Sequence, residues 1–336
     1  MRRGPILSLL GIGTLAGVIA TAVAIFLPWL PPVASDERNR IDVLFWFVVA
    51  ICILIFAIVV AVLLYSVLHF RAAPDDDSDG PPIHGHTNLE IVWTLIPTVL
   101  VTAIGIFSAI VLARDDAQGK NVLNINVTAQ QFAWSFEYPD SGKLTTGTLR
   151  LPVNRSVLLH LSSKDVIHSF WVPEFGQKED TVPGLDTSLH ITPNKVGTYP
   201  VICTELCGLG HAVMRTQAIV MTQAAFAKWL QSQVKATGSG SPSVSGAAIF
   251  KNIPCGSCHT LTAAGATGKV GPDLDKLAQY AQAAGKPLDA FISQSITDPN
   301  AYIQKGYPRN VMPPFNLPKA QLDALVQYLV QSSKKG

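Results

Sequence analysis

Charge is scarce in this chain. Lys, Arg, Asp and Glu together make up 14% of its 336 residues, and 25 basic side chains nearly cancel 23 acidic ones. A formal net charge of +2 leaves no basic field with which to hold nucleic acid. Sulfur is scarce too, and its placing is informative. The five cysteines do not make a disulfide framework: Cys52 sits in an apolar run, and the other four form two tight pairs, Cys203/Cys207 and Cys255/Cys258. Such pairs beside a histidine read as metal binding or haem attachment. No nucleophile stands beside a base, and no metal position is left open. That argues against transformation of a substrate on this chain.

Long uncharged runs are what the sequence has instead. Gly4 to Ala34 carries no charge and follows Arg2 and Arg3. A cleaved secretory signal and a retained membrane helix both fit that run. Val43 to Leu68 and Ile91 to Ala113 are also uncharged, and each exceeds the roughly 20 residues a spanning helix needs. Pro97 falls near the start of the third run, where a helix tolerates it. Between the second and third runs, Pro74, Pro81, Pro82 and four aspartates mark a polar loop. A helical hairpin over 41–116 is therefore expected, with 1–34 as signal or extra helix. Arg2, Arg3 and Arg71 on one side balance Arg38, Arg40 and Arg114 on the other, so the positive-inside rule is tied. The haem and copper sites below, expected outside the cytoplasm, put loop 71–90 inside it.

From Asn121 the period becomes two: Leu123, Ile125 and Val127 alternate with polar residues. Short strands recur at 156–161, 188–191 and 198–202, separated by turn residues such as Pro139-Asp-Ser-Gly142 and Pro183-Gly184. That spacing predicts an all-β sandwich over 117–234. One loop stands out in it: Cys203-Thr-Glu-Leu-Cys207-Gly-Leu-Gly-His211-Ala-Val-Met214. Two thiols, an imidazole and a thioether suit copper, and Met214 argues against a zinc site or a simple disulfide. A second imidazole is needed. His160 and His190 fall within strands, where a histidine is more often structural. His168 begins the turn Asp165-Val-Ile-His-Ser-Phe-Trp-Val-Pro173 and is walled by Phe170 and Trp171.

The spacing Cys-x-Glu-x-Cys-Gly-x-x-His-x-x-Met resembles the binuclear copper (CuA) signature of cytochrome c oxidase subunit II, and Val-Ile-His-Ser-Phe-Trp-Val-Pro resembles that family's first-histidine motif. The resemblance covers residues 41–225 and implies a cupredoxin-like Greek-key sandwich. It implies Cys203 and Cys207 as bridging ligands and His168 and His211 as terminal imidazoles. It further implies Met214 and the Glu205 carbonyl as weak axial ligands, and the Glu205 carboxylate as a magnesium ligand shared with the catalytic partner. Asn88-Leu-Glu-Ile-Val-Trp-Thr-Leu-Ile-Pro97 looks like the start of the second hairpin helix, which puts Glu90 at a proton-channel entrance. A solvated helix N-terminal carboxylate reads the same way. Gln131-Phe-Ala-Trp-Ser-Phe-Glu-Tyr-Pro139 resembles the family's aromatic stretch. Its first tryptophan, which takes electrons from cytochrome c, is Phe132 here, while Trp134 keeps the second position. Leu185 stands where many members have arginine.

Residues 235–245 are rich in Gly, Ser and Pro, the composition of a flexible linker. Helical patterns follow at 246–251, 288–295 and 319–332, within a domain expected over 246–336. Cys255-Gly-Ser-Cys258-His259 is the attachment motif for c-type haem, with His259 as axial ligand. His259 is the last histidine and Met312 the only methionine after Met221, so elimination makes Met312 the sixth ligand. Met/His ligation raises the haem potential, as electron transfer needs. Gly271-Pro-Asp-Leu274 resembles the loop of class I cytochromes c whose proline carbonyl accepts the bond from the proximal imidazole.

The fold expected is thus a multidomain membrane protein: a transmembrane hairpin, a cupredoxin-like sandwich and an all-α class I cytochrome c domain. The whole resembles subunit II of caa3-type oxidases. That implies an electron-input subunit passing electrons from haem c to CuA and on to a haem–copper subunit that reduces O2 and pumps protons. Its partners would be oxidase subunit I and further oxidase subunits, membrane lipid, and a donor that is cytochrome c or a respiratory complex. The implied location is the bacterial inner membrane, multi-pass, with both cofactor domains on the periplasmic or extracellular side. The same modules would also serve a nitric oxide reductase, but Glu90 and Glu205 favour the oxidase. A membrane-anchored copper-binding or delivery protein is the reading from another class, and the haem motif argues against it. Quinol oxidase subunits lose the copper ligands present here.

Overall fold

A computed structural model describes residues 3–71, 75, 79–80, 82–117, 119, 121–238, 245–253, 255–309, 311–312, 314–315, 317 and 319–333. Arg2, Pro74, Asp76, Asp77, Pro81 and residues 239–244 of the expected linker lie outside these. The chain divides into two compact units: Met1–Pro32 with Asn39–Asp115, and Val33–Arg38 with Asp116–Gly336.

The first unit is built from three helices, α1 (Arg3–Phe26), α2 (Asp36–His69) and α3 (Thr87–Asp115). All three are long and apolar enough to cross a membrane. Helix α1 ends at Phe26 because Pro28, Pro31 and Pro32 follow, and proline neither donates to a helix nor lets its predecessor stay helical. Two of its glycines, Gly13 and Gly17, face α2. A Cβ on Gly13 would lie 3.4 Å from that of Ala61, and one on Gly17 3.6 Å from that of Ala57. Small residues let two backbones approach, which is how apolar helices associate in lipid. Helix α2 begins at Asp36, five residues before the expected 41, since Asp36 and Glu37 in the first turn complement the helix dipole. Arg40 Nε and Asp115 Oδ1, 2.5 Å apart, tie the ends of α2 and α3 together.

The second unit holds a β-sandwich lobe and a helical lobe. The sandwich has ten strands: β1 (Leu123–Gln130), β2 (Ala133–Tyr138), β3 (Leu144–Thr146), β4 (Leu149–Pro152), β5 (Val157–Ser163), β6 (His168–Trp171), β7 (Lys178–Thr181), β8 (Thr187–Ile191), β9 (Gly197–Cys203) and β10 (Arg215–Met221). They form two five-stranded sheets, ordered β3-β2-β1-β5-β8 and β4-β10-β9-β6-β7. The alternation along β1 buries Leu123, Ile125, Val127 and Ala129 on one face. Leu149, Leu151, Leu159, Leu161 and Phe170 meet them in a single core. Each such side chain contributes about 1.5–3 kcal/mol when buried, so the core is a rigid base for what is mounted on it.

Helix α4 (Gln223–Gly238) leaves β10 and packs Phe226 and Trp229 against Tyr138. It runs four residues into the expected linker, because residues 225–235 already carry helix formers with few breakers. The helical lobe comprises α5 (Gly246–Asn252), α6 (Cys255–Cys258), α7 (Leu277–Ala283), α8 (Leu288–Thr297) and α9 (Lys319–Ser332). Helices α5, α8 and α9 match the sequence patterns; α7 had no clear apolar stripe to announce it. Ile249, Phe250, Ile292, Leu325 and Leu329 form a core of their own.

Tyr138 is fully buried, and its hydroxyl donates to the Arg150 carbonyl at 2.9 Å and accepts from the Arg150 N–H at 2.8 Å. Burial pushes its phenol pKa well up, so it stays a neutral donor. Tyr138→Phe strands two backbone groups and should cost about 1–3 kcal/mol. Thermal unfolding of the full chain checks this, with the loss appearing as a lower melting temperature.

Candidate metal centre and haem crevice

The loop 204–214 leaves β9 and returns on β10, two strands paired with Arg215 opposite Ile202. The Cys203 N–H donates to the Met214 carbonyl at 3.2 Å, which closes the loop at its base. Cys203, Cys207 and Met214 are all buried. The two thiol sulfurs lie 3.9 Å apart and are not bonded to each other. Each has its own imidazole: His168 Nδ1 is 3.9 Å from Cys203 Sγ, and His211 Nδ1 is 3.6 Å from Cys207 Sγ. Met214 Sδ lies 3.8 Å from Cys207 Sγ, and the Glu205 carbonyl oxygen 3.3 Å from Cys203 Sγ. The donor atoms of His168, Cys203 and Cys207 all fall within 4.8 Å of one another; His211 reaches the cluster through Cys207. Soft sulfur flanked by imidazole fits copper. Of the expected histidines, His160 hydrogen-bonds to Asn124 and His190 to Ser156, away from this cluster.

His168 does not begin a turn but opens strand β6, following the turn at Asp165. Asp165 is the residue that sequence reasoning missed. His168 Nε2 donates to Asp165 Oδ1 at 2.8 Å, which leaves Nδ1 free to face the sulfurs. Asp165 is itself fixed by the N–H groups of Gln131 at 2.6 Å and Val166 at 2.7 Å. Burial opposes ionisation of Asp165, but these donors and His168 outweigh it and hold the carboxyl below its usual range. Burial likewise opposes charge on His168, and its bonds to Cys203 and Asp165 more than offset that, raising its pKa. Gln131 was missed too: its Nε2 donates to the Cys207 carbonyl at 2.6 Å. A carboxylate three residues before a ligand histidine was the one available signal.

The thiols titrate as a pair. Burial disfavours both thiolates. At Cys203, hydrogen bonds from His168, Ser169 and the loop overcome burial and lower the pKa. At Cys207, burial and the adjacent Cys203 thiolate push it up.

In the helical lobe, Cys255, Cys258, His259 and Met312 line one apolar cavity of about 1360 Å³, counting its open mouth. Phe250, Leu277, Ile292 and Leu329 supply much of its wall. His259 Nδ1 donates to the Pro272 carbonyl at 2.8 Å, the contact expected of the Gly271–Leu274 loop. Burial lowers the His259 pKa, so the ring is neutral and its Nε2 lone pair is free for iron. The room, the apolar lining and the paired thiols all fit a covalently held haem.

The family model described as the transmembrane domain of cytochrome c oxidase subunit II matches residues 20–111, and that of its periplasmic domain matches 145–223. The cytochrome c family model matches 243–333. A "Cytochrome c oxidase subunit 2" from Thermostichus vulcanus is 33% identical over 287 residues, covering 68% of this chain and 87% of the relative. The chain belongs to the cytochrome c oxidase subunit II family. A subunit 2 from Synechocystis sp. is 32% identical, covering 66% of this chain and 82% of the relative. Another from Alkalihalophilus pseudofirmus is 30% identical and covers 82% of both chains. The chain is therefore a subunit of a cytochrome c oxidase, and the family implies copper in the sandwich and haem c in the helical lobe.

The remaining expected residues are placed as follows. The Glu205 side chain is exposed on the loop. Glu90 is exposed at the start of α3, its Oε1 accepting from the His86 N–H at 3.2 Å. Trp134 is buried and packs edge-on against His168 and Phe170, so it braces the ligand and does not present a docking face. Leu185 is exposed.

Two outcomes are expected at the metal centre. Asp165→Ala removes the acceptor that orients His168 and should cost about 10- to 100-fold in copper affinity, measured by competition with a chelator. Metal binding must also displace the raised Cys207 proton. Copper affinity of the metal-free chain should therefore rise with pH, by up to about tenfold per unit for each proton released. The same competition across neutral pH, with proton release followed by indicator, checks the sign.

Proposed function

We propose that this chain is the electron-input subunit of a caa3-type cytochrome c oxidase. It takes electrons onto haem c in the helical lobe, passes them to CuA in the sandwich, and delivers them to the catalytic subunit that reduces O2 and pumps protons. The observation that carries this reading is the presence in one chain of a cluster of two thiols and two imidazoles and a Cys-x-x-Cys-His crevice facing Met312.

Cys203 and Cys207 would bridge the two coppers, His168 and His211 would hold them from either end, and Met214 and the Glu205 carbonyl would complete the set. Cys255 and Cys258 would hold the haem covalently, with His259 and Met312 on its iron. When bound, both groups supply one-electron redox chemistry. The residues around them keep geometry constant while charge changes. Asp165 and Trp134 fix the His168 ring, the Pro272 carbonyl fixes His259, and the buried loop base excludes water. Little then moves when an electron arrives, and little movement means a low barrier.

The Glu205 carboxylate is assigned to a magnesium site shared with oxidase subunit I. Leu206 and Leu209 beside it are 78% and 85% exposed, and such apolar exposure around a polar group supports a partner on that side. Glu90 is assigned to a proton-channel entrance, which its exposed place at a helix start supports. The chain would sit in the bacterial inner membrane as a multi-pass protein with both cofactor lobes on the periplasmic side. Its further partners would be other oxidase subunits and a donor that is cytochrome c or a respiratory complex.

Cys207→Ser tests the order of the relay in the purified complex. The haem of this chain should still be reduced by the donor, but O2 consumption should fall by more than about 100-fold. Unchanged O2 consumption, or turnover with nitric oxide and none with O2, would contradict the reading.

A further inference from the structure

Helix α1 has two faces of different size. Gly13, Ala16, Gly17, Ala20 and Ala24 recur at helical spacing and are half-buried along one side. Leu7, Leu15, Val18, Ile19 and Ile25, on the other side, are exposed. A secretory leader needs only an apolar core of about 7–15 residues, and that task does not sort small side chains from large ones. Packing does: small residues let a second helix approach, and large ones face lipid. The apolar stretch is also longer than a leader's, with 23 residues from Gly4 to Phe26.

Helix α2 is seated on the small face. Gly13 meets Ala61 and Gly17 meets Ala57, and Ala61 is buried there. Past the end of α1, Trp29 packs on Phe45 and Trp46 with ring centroids 5.3 and 6.3 Å away, and its Nε1 donates to the Ala24 carbonyl at 3.1 Å. Such an aromatic cluster suits the level where a span meets the membrane surface. Contacts ascend along α1 as they descend along α2, so the two helices are antiparallel.

The small-residue sequences that would suit leader removal are closed to it. Ala20-Thr-Ala22 and Ala22-Val-Ala24 lie inside α1, where the backbone is helical, whereas a protease binds its substrate extended. Ala34 is fully buried; its N–H donates to the Glu174 carbonyl and its own carbonyl accepts from the Asn194 N–H, both at 3.0 Å. Ser35 is fully buried too, its Oγ donating to the Phe175 carbonyl at 2.9 Å. A cut between Ala34 and Ser35 would leave a charged amine at a buried position, which is costly without a counter-charge.

We propose that α1 is a permanent third membrane helix, held on the Ala57–Ala61 face of α2, and that residues 1–34 are not a removable leader. The inference stands apart from the electron relay. Only its sidedness rests on the location proposed above: antiparallel packing puts the start of α1 at the same membrane face as the end of α2 at His69, the cytoplasmic one. The seat also takes one face of α2 away from partner subunits, so a catalytic subunit meets this chain on α3 or on the remaining faces of α2.

The test uses the complex purified from its native membrane. Intact mass and N-terminal sequencing of this chain should give an amino terminus ahead of Gly13. A terminus at Val23, Ile25, Ser35 or any other position past Gly13 would overturn the proposal while leaving the relay in place. The seat is tested separately in a chain carrying Cys52→Ala. Gly17→Cys with Ala57→Cys places Cβ atoms 3.6 Å apart, within disulfide reach, so mild oxidation should join α1 to α2 with the copper and haem spectra unchanged. Leu15→Cys with Ala57→Cys, which starts from the opposite face of α1, should join at least about tenfold more slowly. Equal rates for the two pairs, or faster joining from position 15, would overturn the seat even where the helix is retained.

Discussion

Holding two thiols 3.9 Å apart in a buried loop is costly as soon as either ionises. Burial disfavours each thiolate, and each disfavours the other. The surrounding structure answers this term by term. His168 and His211 stand at the outer sides of the sulfurs, Asp165 holds His168 with its lone pair turned inward, and backbone donors from Ser169 and the loop favour charge on Cys203. The site is thus poised for a soft cation, whose charge replaces the protons it displaces. The β9–β10 pairing and the sandwich core exist, in functional terms, to keep that poise from relaxing.

The helical lobe solves a different problem with the same means. A neutral imidazole must face iron in one orientation, so His259 is buried and its far nitrogen is spent on the Pro272 carbonyl. In both sites the angle of an imidazole is set by a bond made on the side away from the metal. The two solutions meet at Phe132, a side chain that lines the haem crevice and rests against the copper loop.

Much of this was legible in the residues. Strand β1 announced itself through Leu123, Ile125 and Val127, and the copper loop and haem motif through spacing alone, because covalent and metal chemistry tolerates little variation in spacing. Helix α9 was legible from one apolar stripe. Three things were not. Helix α4 runs on to Gly238 through residues whose composition looked like a linker, since helix propensity and tethering are both weak signals there. Gln131 acts through a carbonyl that only the fold brings near, and Asp165 acts through a histidine three residues on, a pairing that stands outside the ligand spacing. The contact of Phe132 with the haem crevice joins positions more than a hundred residues apart (Phe132 and Val311 by number), and no local pattern encodes a pairing of that kind. Phe132 looked like a loss, an aromatic weaker than the tryptophan of its relatives; in place it is a shared surface.

The central claim is that Cys203 and Cys207 bridge two equivalent coppers between His168 and His211. Electron paramagnetic resonance of the oxidised, copper-loaded chain tests it most directly. The account predicts the hyperfine pattern of one unpaired electron shared equally by two copper nuclei. The pattern of a single copper nucleus, at full copper loading, would contradict it.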